Sequence, residues 1–197
     1  MKKILMSLLF VAFGATSVMA QGSFYLKPMV GGTLSTLTDA DDAKFKFGIV
    51  GGAELGYQAA EQVDLTAGVL VAMQGAKTGE EILIKDATTT LTYLNVPVLV
   101  NYYIVPGLAI KAGVQPGFLL SQKTKVNFTD GTSEENTSTD HTKKFDLSIP
   151  LGLSYEFSDF VIDARYNLGV TKVNDDNSDM SIKNSVIMLT VGYKIPF

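Results

Sequence analysis

The sequence predicts an all-β fold, an eight-stranded antiparallel up-and-down transmembrane β-barrel, and three observations support this prediction. Apolar and polar side chains alternate in eight segments after residue 20, which is the period of a strand with one face on lipid and one on a lumen. The connections alternate between tight turns and long polar loops. No segment after residue 20 offers 18 continuous apolar residues, so helical spans are not expected.

The first element is a predicted signal peptide over residues 1–20. Lys2 and Lys3 form a charged start, residues 4–18 form an apolar stretch, and a small-residue cleavage site ends at Ala20. The alternative is an uncleaved anchor. It is disfavoured because the stretch is shorter than the roughly 20 residues that a spanning helix needs.

Cleavage after residue 20 would leave residues 21–197, about 177 residues (197 − 20), as one outer-membrane β-barrel domain. Loss of Lys2 and Lys3 would take the formal net charge from −4 to −6, so a basic nucleic-acid surface is not expected. The chain has no cysteine, which excludes disulfides, thiol nucleophiles and cysteine metal sites.

Eight strands follow, each long enough for the roughly 9–11 tilted residues that cross a bilayer. They are predicted at 24–35, 45–58, 63–76, 90–103, 108–122, 145–156, 160–171 and 184–197. Long polar loops are predicted at 36–44, 77–89, 123–144 and 172–183, and tight turns at 59–62, 104–107 and 157–159. This alternation is typical of outer-membrane barrels of Gram-negative bacteria, with tight turns in the periplasm and long loops outside.

Aromatic side chains distinguish this barrel from a soluble lipocalin-like barrel, which has the same period with its faces inverted. The aromatic residues near the tight-turn end are Phe24, Tyr25, Tyr57, Tyr102, Tyr103, Tyr155, Phe157, Phe160, Tyr193 and Phe197. Those toward the long-loop end are Phe45, Phe47, Phe118, Phe145 and Tyr166. Two aromatic girdles match the two headgroup regions of a membrane.

Prolines lie inside several predicted strands, where each removes one ladder hydrogen bond. They are Pro28, Pro97, Pro116, Pro150 and Pro196. We expect β-bulges to accommodate them.

The last strand ends in a pattern that indicates an assembly signal. Phe197 is preceded at two-residue intervals by Ile195, Tyr193 and Val191, which resembles the β-signal of outer-membrane barrels. The expected partners are therefore outer-membrane lipid and the barrel-assembly machinery, which can pair with an exposed strand edge. Pro196 departs from the usual pattern.

Three sequence blocks resemble the PorT-like outer-membrane β-barrel family. The best marked is YLNVPVLVNYY at 93–103, and the others are AGVQPGFLL at 112–120 and VIDARYNLGV at 161–170. The resemblance implies the same barrel fold. It also implies a function within a range that includes secretion-system accessory proteins and many barrels without an assigned activity.

Charged residues of the strands are predicted to meet in the lumen toward the tight-turn end. Four are positive and four negative: Lys27, Glu54, Asp64, Lys111, Glu156, Asp163, Arg165 and Lys194. An eight-stranded barrel is just wide enough for side chains to fill, so balanced charges predict an ion-paired plug. The alternative is a pore lining. Hairpin register places Lys27 nearly opposite Glu54, and Arg165 near Glu156.

Apolar residues are predicted to face the lumen above this layer. They include Val50, Leu70, Leu91, Leu119 and Met188. Two alternatives stay open: the side chains pack against one another, or they line a pocket for a hydrophobic ligand.

No catalytic, cofactor or metal site is predicted. The one histidine, His141, lies in a polar loop without a recognisable catalytic partner. Carboxylates of the long loops offer oxygen ligands for Ca²⁺ but lack the spacing of a calcium motif. They are Asp39, Asp41, Asp42, Glu80, Glu81, Glu134, Glu135, Asp175, Asp176 and Asp179.

The predicted function is a non-enzymatic outer-membrane barrel with a plugged lumen, which interacts through its external loops or periplasmic rim. A PorT-like secretion accessory is one form of this hypothesis. A narrow channel or carrier for a small hydrophobic solute is the alternative, and a lipid-modifying enzyme built on His141 ranks third.

Overall fold

The computed structural model describes residues 23–38, 43–78, 84–128, 132–137, 143–172 and 183–197. Within these ranges the chain forms strands that all pair antiparallel. They are β1 Phe24–Thr38, β2 Ala43–Lys44, β3 Lys46–Ala60, β4 Val63–Thr78, β5 Ile84–Asn95, β6 Val98–Val105, β7 Leu108–Phe128, β8 Ser133–Thr137, β9 Phe145–Phe157, β10 Phe160–Gly169, β11 Lys183–Tyr193 and β12 Ile195–Pro196. No helix among the described residues has the length and apolar character needed to cross a membrane.

The strands form a closed ring with eight positions. β1, β4, β7 and β10 each occupy one position, and the pairs β2–β3, β5–β6, β8–β9 and β11–β12 each share one. β1 pairs with β3 along one edge and with β11 and β12 along the other, which closes the ring. The predicted eight-stranded antiparallel barrel is confirmed.

The two faces of each strand differ in chemistry as the alternation predicts. In β10, Asp163, Arg165 and Asn167 are buried inside the ring, whereas Ile162 and Leu168 are exposed outside. The exterior of the other strands is likewise rich in exposed apolar side chains. A soluble barrel would place its apolar face inside, so this ring is built to face lipid.

Tight turns join three of the hairpins at one end of the ring, as predicted. Residues 61–62 join β3 to β4, Pro106 and Gly107 join β6 to β7, and residues 158–159 join β9 to β10. Gly107 has φ of 83°, which only glycine adopts readily, and proline followed by such a glycine is the pattern of a type II turn.

Interruptions in the strand pairing accommodate the prolines. The prediction of β-bulges at proline is wrong. Pro97 lies in the break between β5 and β6. Pairing lapses beside Pro28 on the edge that faces β11 and β12, and beside Pro150 on the edge that faces β7. The register shifts of the described ladders lie elsewhere, at Gln58/Ala60, Ile84/Asp86, Thr92/Tyr93 and Tyr103/Val105. A lapse suffices because proline removes only one donor.

A sheet projects beyond the ring at the long-loop end. β7 is 21 residues long, about twice what a barrel strand needs to cross a bilayer. Its first half pairs with β9 only as far as Phe118, whereas its second half pairs with β5 as far as Phe128 and with β8. Beyond Thr78, the last residue of β4, the described part of this projection consists of β5, β7 and β8. We call it the projecting sheet.

Candidate functional site

All eight charged residues predicted for the lumen lie inside the ring, in two layers. The deep layer consists of Lys27, Glu54, Lys111, Asp163 and Arg165. The mouth layer, nearer the tight turns, consists of Asp64, Glu156 and Lys194 with the hydroxyl groups of Tyr25 and Tyr103.

The deep layer is a continuous set of buried ion pairs. Lys27 lies opposite Glu54 in the β1–β3 ladder, and its Nζ is 2.8 Å from Glu54 Oε2. Arg165 extends from β10 to Glu54, with its Nη1 2.6 Å from Oε1, and its Nε is 2.6 Å from Asp163 Oδ1. Lys111 from β7 also pairs with Asp163. Two carboxylates are thus shared among three cations, and none of these side chains is more than 4% exposed.

The mouth layer joins tyrosine hydroxyls to the carboxylates. Tyr25 donates to Asp64 Oδ2 at 2.9 Å, and Tyr103 is 3.1 Å from that oxygen and 2.5 Å from Glu156 Oε1. Lys194 Nζ is 3.3 Å from Glu156 and 3.6 Å from Asp64. The same ammonium group lies 4.1 Å from the centre of the Tyr25 ring, which is the geometry of a cation–π contact.

Together the two layers involve all eight positions of the ring. Their members lie on β1, β3, β4, β6, β7, β9, β10 and in the β11–β12 segment at Lys194. The deep layer holds three cations and two carboxylates, and the mouth layer holds one cation and two carboxylates. The charges therefore balance only when both layers are counted, which makes the two layers one electrostatic unit.

One predicted pairing is wrong and two residues were assigned to the wrong face. Arg165 lies opposite Gly152 and pairs with Glu54 and Asp163, whereas Glu156 pairs with Lys194. Tyr25 and Tyr103 were expected in the aromatic girdle, but their hydroxyls bond inside the lumen. The signal was available in the strand period: Tyr25 is two residues from Lys27, and Tyr103 is two residues from the buried Asn101.

Glycines make room for these large side chains. A Cβ atom at Gly56 would lie 2.0 Å from Tyr25 Cζ, and one at Gly68 would lie 2.6 Å from Glu54 Cγ. Gly152 and Gly192 similarly lie against the side-chain stems of Arg165 and Lys27. Sequence reasoning missed these positions because an inward-facing glycine interrupts the alternation rather than marking it.

Buried amide side chains lie above the deep layer, toward the long-loop end. Asn95, Gln115 and Asn167 are each no more than 3% exposed. Asn95 Nδ2, Gln115 Oε1 and both amide atoms of Asn167 make no hydrogen bond within the described part of the chain. Buried polar groups usually hold a partner or ordered water, so this belt gives the lumen a polar middle.

The five apolar residues predicted above the ion pairs pack into two clusters. Val50, Leu70 and Met188 pack with Met29 and Ala72 in one cluster. Leu91 and Leu119 pack with Tyr93 in the other. Close mutual packing favours the first of the two alternatives, a filled interior.

A cleft of about 400 Å³ opens beside the mouth layer at the tight-turn end. Its wall includes Tyr103, Glu156 and Lys194, together with Glu61 and Gln62 from the β3–β4 turn. The ion pair of Glu156 with Lys194 thus forms part of the cleft wall, whereas none of the five deep-layer residues does.

The remaining predicted groups lie mostly in segments that the structure does not describe. These are residues 1–20, His141, and the acidic loop residues other than Glu134 and Glu135. Glu134 and Glu135 lie on the exposed strand β8. Among the described residues there is no cluster of three or more His, Asp or Glu side chains that could hold a metal ion.

Comparisons with known proteins identify the family of this chain and solved structures with a similar fold. A family model described as "Outer membrane protein beta-barrel domain" matches residues 11–175. The ring is similar to the crystal structure of Ail, the attachment invasion locus protein of Yersinia pestis, with 20% identity and a TM-score of 0.51 over 89% of this chain and 100% of that one. It is also similar to Neisserial surface protein A, with 14% identity and a TM-score of 0.52 over 89% and 100% of the two chains. No curated protein sequence gives a significant match.

Proposed function

Because this chain belongs to the family of outer membrane protein beta-barrel domains, we propose that it is a closed, non-enzymatic barrel that works by contacting another macromolecule. The protein lies in the outer membrane. Lipid surrounds its apolar exterior, the tight turns lie in the periplasm, and the projecting sheet lies outside the cell. The mature chain begins at Gln21.

The observation that carries the proposal is that all eight ring positions contribute side chains to the two charged layers that fill the lumen. Arg165 on β10 and Glu54 on β3 are fully buried, and their side chains form an ion pair at 2.6 Å. The two strands are not neighbours in the ring, so this ion pair crosses the lumen. An ion that passes through the deep layer would have to separate ion pairs that are buried away from water. Separating such pairs is costly, because each would leave an uncompensated buried charge. A lumen of this kind acts as a plug.

The projecting sheet is the surface that would make contact. Its strand β8 is exposed at all five residues, and the sheet stands clear of the ring on strands that lipid does not cover. Extracellular segments held on a rigid barrel are well placed to bind, because the scaffold positions them.

Site-specific photo-crosslinking tests this function in intact cells. A photo-reactive residue at the exposed Asn136 of β8 is expected to capture a defined macromolecule, and the same residue at the lipid-facing Val191 serves as the matched control. Capture of the same products from both positions, or of lipid alone at Asn136, would contradict the proposal.

A PorT-like secretion accessory is the more specific form of this function. It rests on the blocks at 93–103, 112–120 and 161–170. Deletion of the gene would then leave secreted cargo in the periplasm, whereas normal secretion in the deletion strain would remove this form and leave the contact function.

The C-terminal strand is the proposed contact with the barrel-assembly machinery. In the folded ring, the Phe197 N–H donates to the Phe24 carbonyl at 3.0 Å, while Phe197 as a residue is 74% exposed. Recognition would therefore precede ring closure. Phe197→Ala should slow assembly of the heat-modifiable form in cells, and assembly at the wild-type rate would contradict this step.

A narrow channel is the second candidate, and the buried amides favour it. Asn95, Gln115 and Asn167 form a polar belt that would suit water or a small polar solute, rather than the small hydrophobic solute expected from the sequence. The deep layer lies between this belt and the periplasmic mouth, so the two candidates differ in whether that layer opens. Planar-bilayer conductance separates them.

A further inference from the structure

Lysines form a cluster on the outer wall of the barrel, at the base of the projecting sheet. They are Lys44 on β2, Lys77 on β4, and Lys123 and Lys125 on β7, and all four side chains are exposed. We call these four residues the wall lysines.

The register shows that the wall lysines share the outer face. In β4, the inward Gln74 and Ala76 are buried and alternate with Lys77. Lys77 lies opposite Thr88 of β5, and Thr88 lies opposite Lys125 of β7. Directly opposed residues of antiparallel strands point to the same face, so Lys125, and Lys123 two residues before it, also point outward.

Lys44 joins the same row. It lies directly opposite Lys77 in the β2–β4 ladder, after a one-residue change from the register of β3 with β4. Two ammonium side chains are therefore opposed across one ladder, with Cβ atoms about 5 Å apart, an arrangement that is destabilising without an anion nearby.

The wall lysines follow the apolar belt closely along each strand. Outward residues of β4 are apolar as far as Met73, and those of β7 as far as Leu120. Lys44 directly precedes Phe45, which is 58% exposed and lies in the girdle of the long-loop end. The lysines thus stand at the level where the acyl chains end and the headgroups begin.

Their spacing suits several anionic groups on one ligand. Strands about 4.8 Å apart place Lys77 and Lys125 about 10 Å apart, and two residues along β7 separate Lys123 from Lys125 by about 7 Å. Within the described residues, Lys123 forms an ion pair with Glu135 at 3.3 Å, and both side chains are more than half exposed. An exposed pair of this kind is weak and readily exchanged for a stronger anion.

We propose that the wall lysines bind the phosphorylated headgroup of a glycolipid in the outer leaflet. The ligand is an acylated disaccharide with a phosphate at each end, whose chains pack on the apolar belt while its phosphates meet the ammonium groups. This site is additional to the proposed function. It rests on that proposal only for the orientation of the barrel, in which the long loops lie outside the cell. Occupation would hold the base of the projecting sheet at a fixed height above the membrane.

Binding to the purified barrel in detergent tests the site without assuming an orientation. Fluorescent diphosphoryl lipid A is the probe, with its dephosphorylated form and phosphatidylglycerol as competitors. The triple variant Lys44→Gln, Lys77→Gln, Lys125→Gln is expected to bind the probe roughly 100-fold more weakly, about fivefold for each lysine. The matched control is Lys143→Gln with Lys172→Gln, two exposed lysines outside the cluster that should leave binding unchanged.

The competitors decide the class of ligand. We expect the dephosphorylated glycolipid to compete poorly and phosphatidylglycerol to compete less well than diphosphoryl lipid A. Equal affinity of the wild type for phosphorylated and dephosphorylated forms would overturn the proposal even if the triple variant failed to fold. Equal competition by phosphatidylglycerol would reduce the site to an unspecific anionic surface and would also overturn it. Neither result would change the outcome expected from photo-crosslinking at Asn136, so this proposal and the proposed function can fail separately.

Discussion

Glu54→Gln tests the energetic role of the deep layer, because it removes one charge and keeps the shape of the side chain. In the wild type this carboxylate pairs with Lys27 at 2.8 Å and with Arg165 at 2.6 Å, and it is fully buried. The substitution breaks both pairs. It leaves Lys27, Lys111 and Arg165 to share the single carboxylate of Asp163.

The expected cost is about 3–5 kcal/mol of unfolding free energy, the range found when one partner of a buried ion pair is removed. With a urea m-value of about 2–3 kcal/mol/M, the unfolding midpoint should fall by about 1–2.5 M. Equilibrium unfolding in lipid vesicles, followed by tyrosine fluorescence and gel mobility, measures the change.

Glu135→Gln is the matched control, because it removes a carboxylate whose ion pair with Lys123 is exposed. Its cost should stay below about 1 kcal/mol. A Glu54→Gln midpoint no lower than that of the control would refute the reasoning, since it would mean that water rather than Lys27 and Arg165 compensates the charge.

A double-mutant cycle separates lost charge from lost packing. Adding Lys27→Met to Glu54→Gln removes one of the two cations that lost its partner and returns the deep layer to its original net charge. The double variant should therefore be more stable than the sum of the two single effects by more than about 1 kcal/mol. Strict additivity would indicate that the two residues do not interact.

The other predictions concern the mouth layer and the contacts of Arg165. Gly56→Ala should displace the Tyr25 ring and lower the thermal midpoint of unfolding. Gly51→Ala should leave the midpoint unchanged, because its Cβ would lie 3.8 Å from its nearest neighbour, and equal midpoints for the two variants would contradict the packing of Tyr25 against Gly56. Tyr103→Phe should cost about 1–3 kcal/mol in denaturant unfolding, because it removes the hydroxyl donor of Glu156 and leaves Lys194 as the described partner of that carboxylate. The exposed Tyr102→Phe should cost little, and the reverse order would place Tyr103 outside the lumen. Arg165→Ala should lower the denaturant midpoint more than Lys172→Ala does, and an equal effect would show that the Arg165 contacts are not buried.

The period of the strands was enough to predict the ring and the inward charges. Lys27, Glu54, Asp163 and Arg165 alternate with apolar neighbours, so their face follows from β geometry alone. Charge balance then predicted that they would pair. The assignment of each charge to the inner face is local, because it uses only residues within one strand, and charge balance needs no knowledge of which residues are in contact.

Pairing across the lumen could not be predicted in the same way. The contact of Arg165 with Glu54 depends on how far a long side chain extends between strands that are not neighbours. The register of a hairpin aligns only neighbouring strands, so it gives no information about this contact. The same limit explains Tyr25 and Tyr103, whose rings suit a lipid interface equally well until the space beside Gly56 is seen.

Planar-bilayer recording of the pure wild-type protein tests the closed lumen most directly. Insertion is verified first by the heat-dependent change in gel mobility of the same vesicles. The ion pairs of Lys27, Glu54, Lys111, Asp163 and Arg165 predict no steady conductance, because no ion passes without separating them. Steady and reproducible conductance, together with no loss of stability in Arg165→Ala, would show that the charges line a pathway and would replace the plug with a channel.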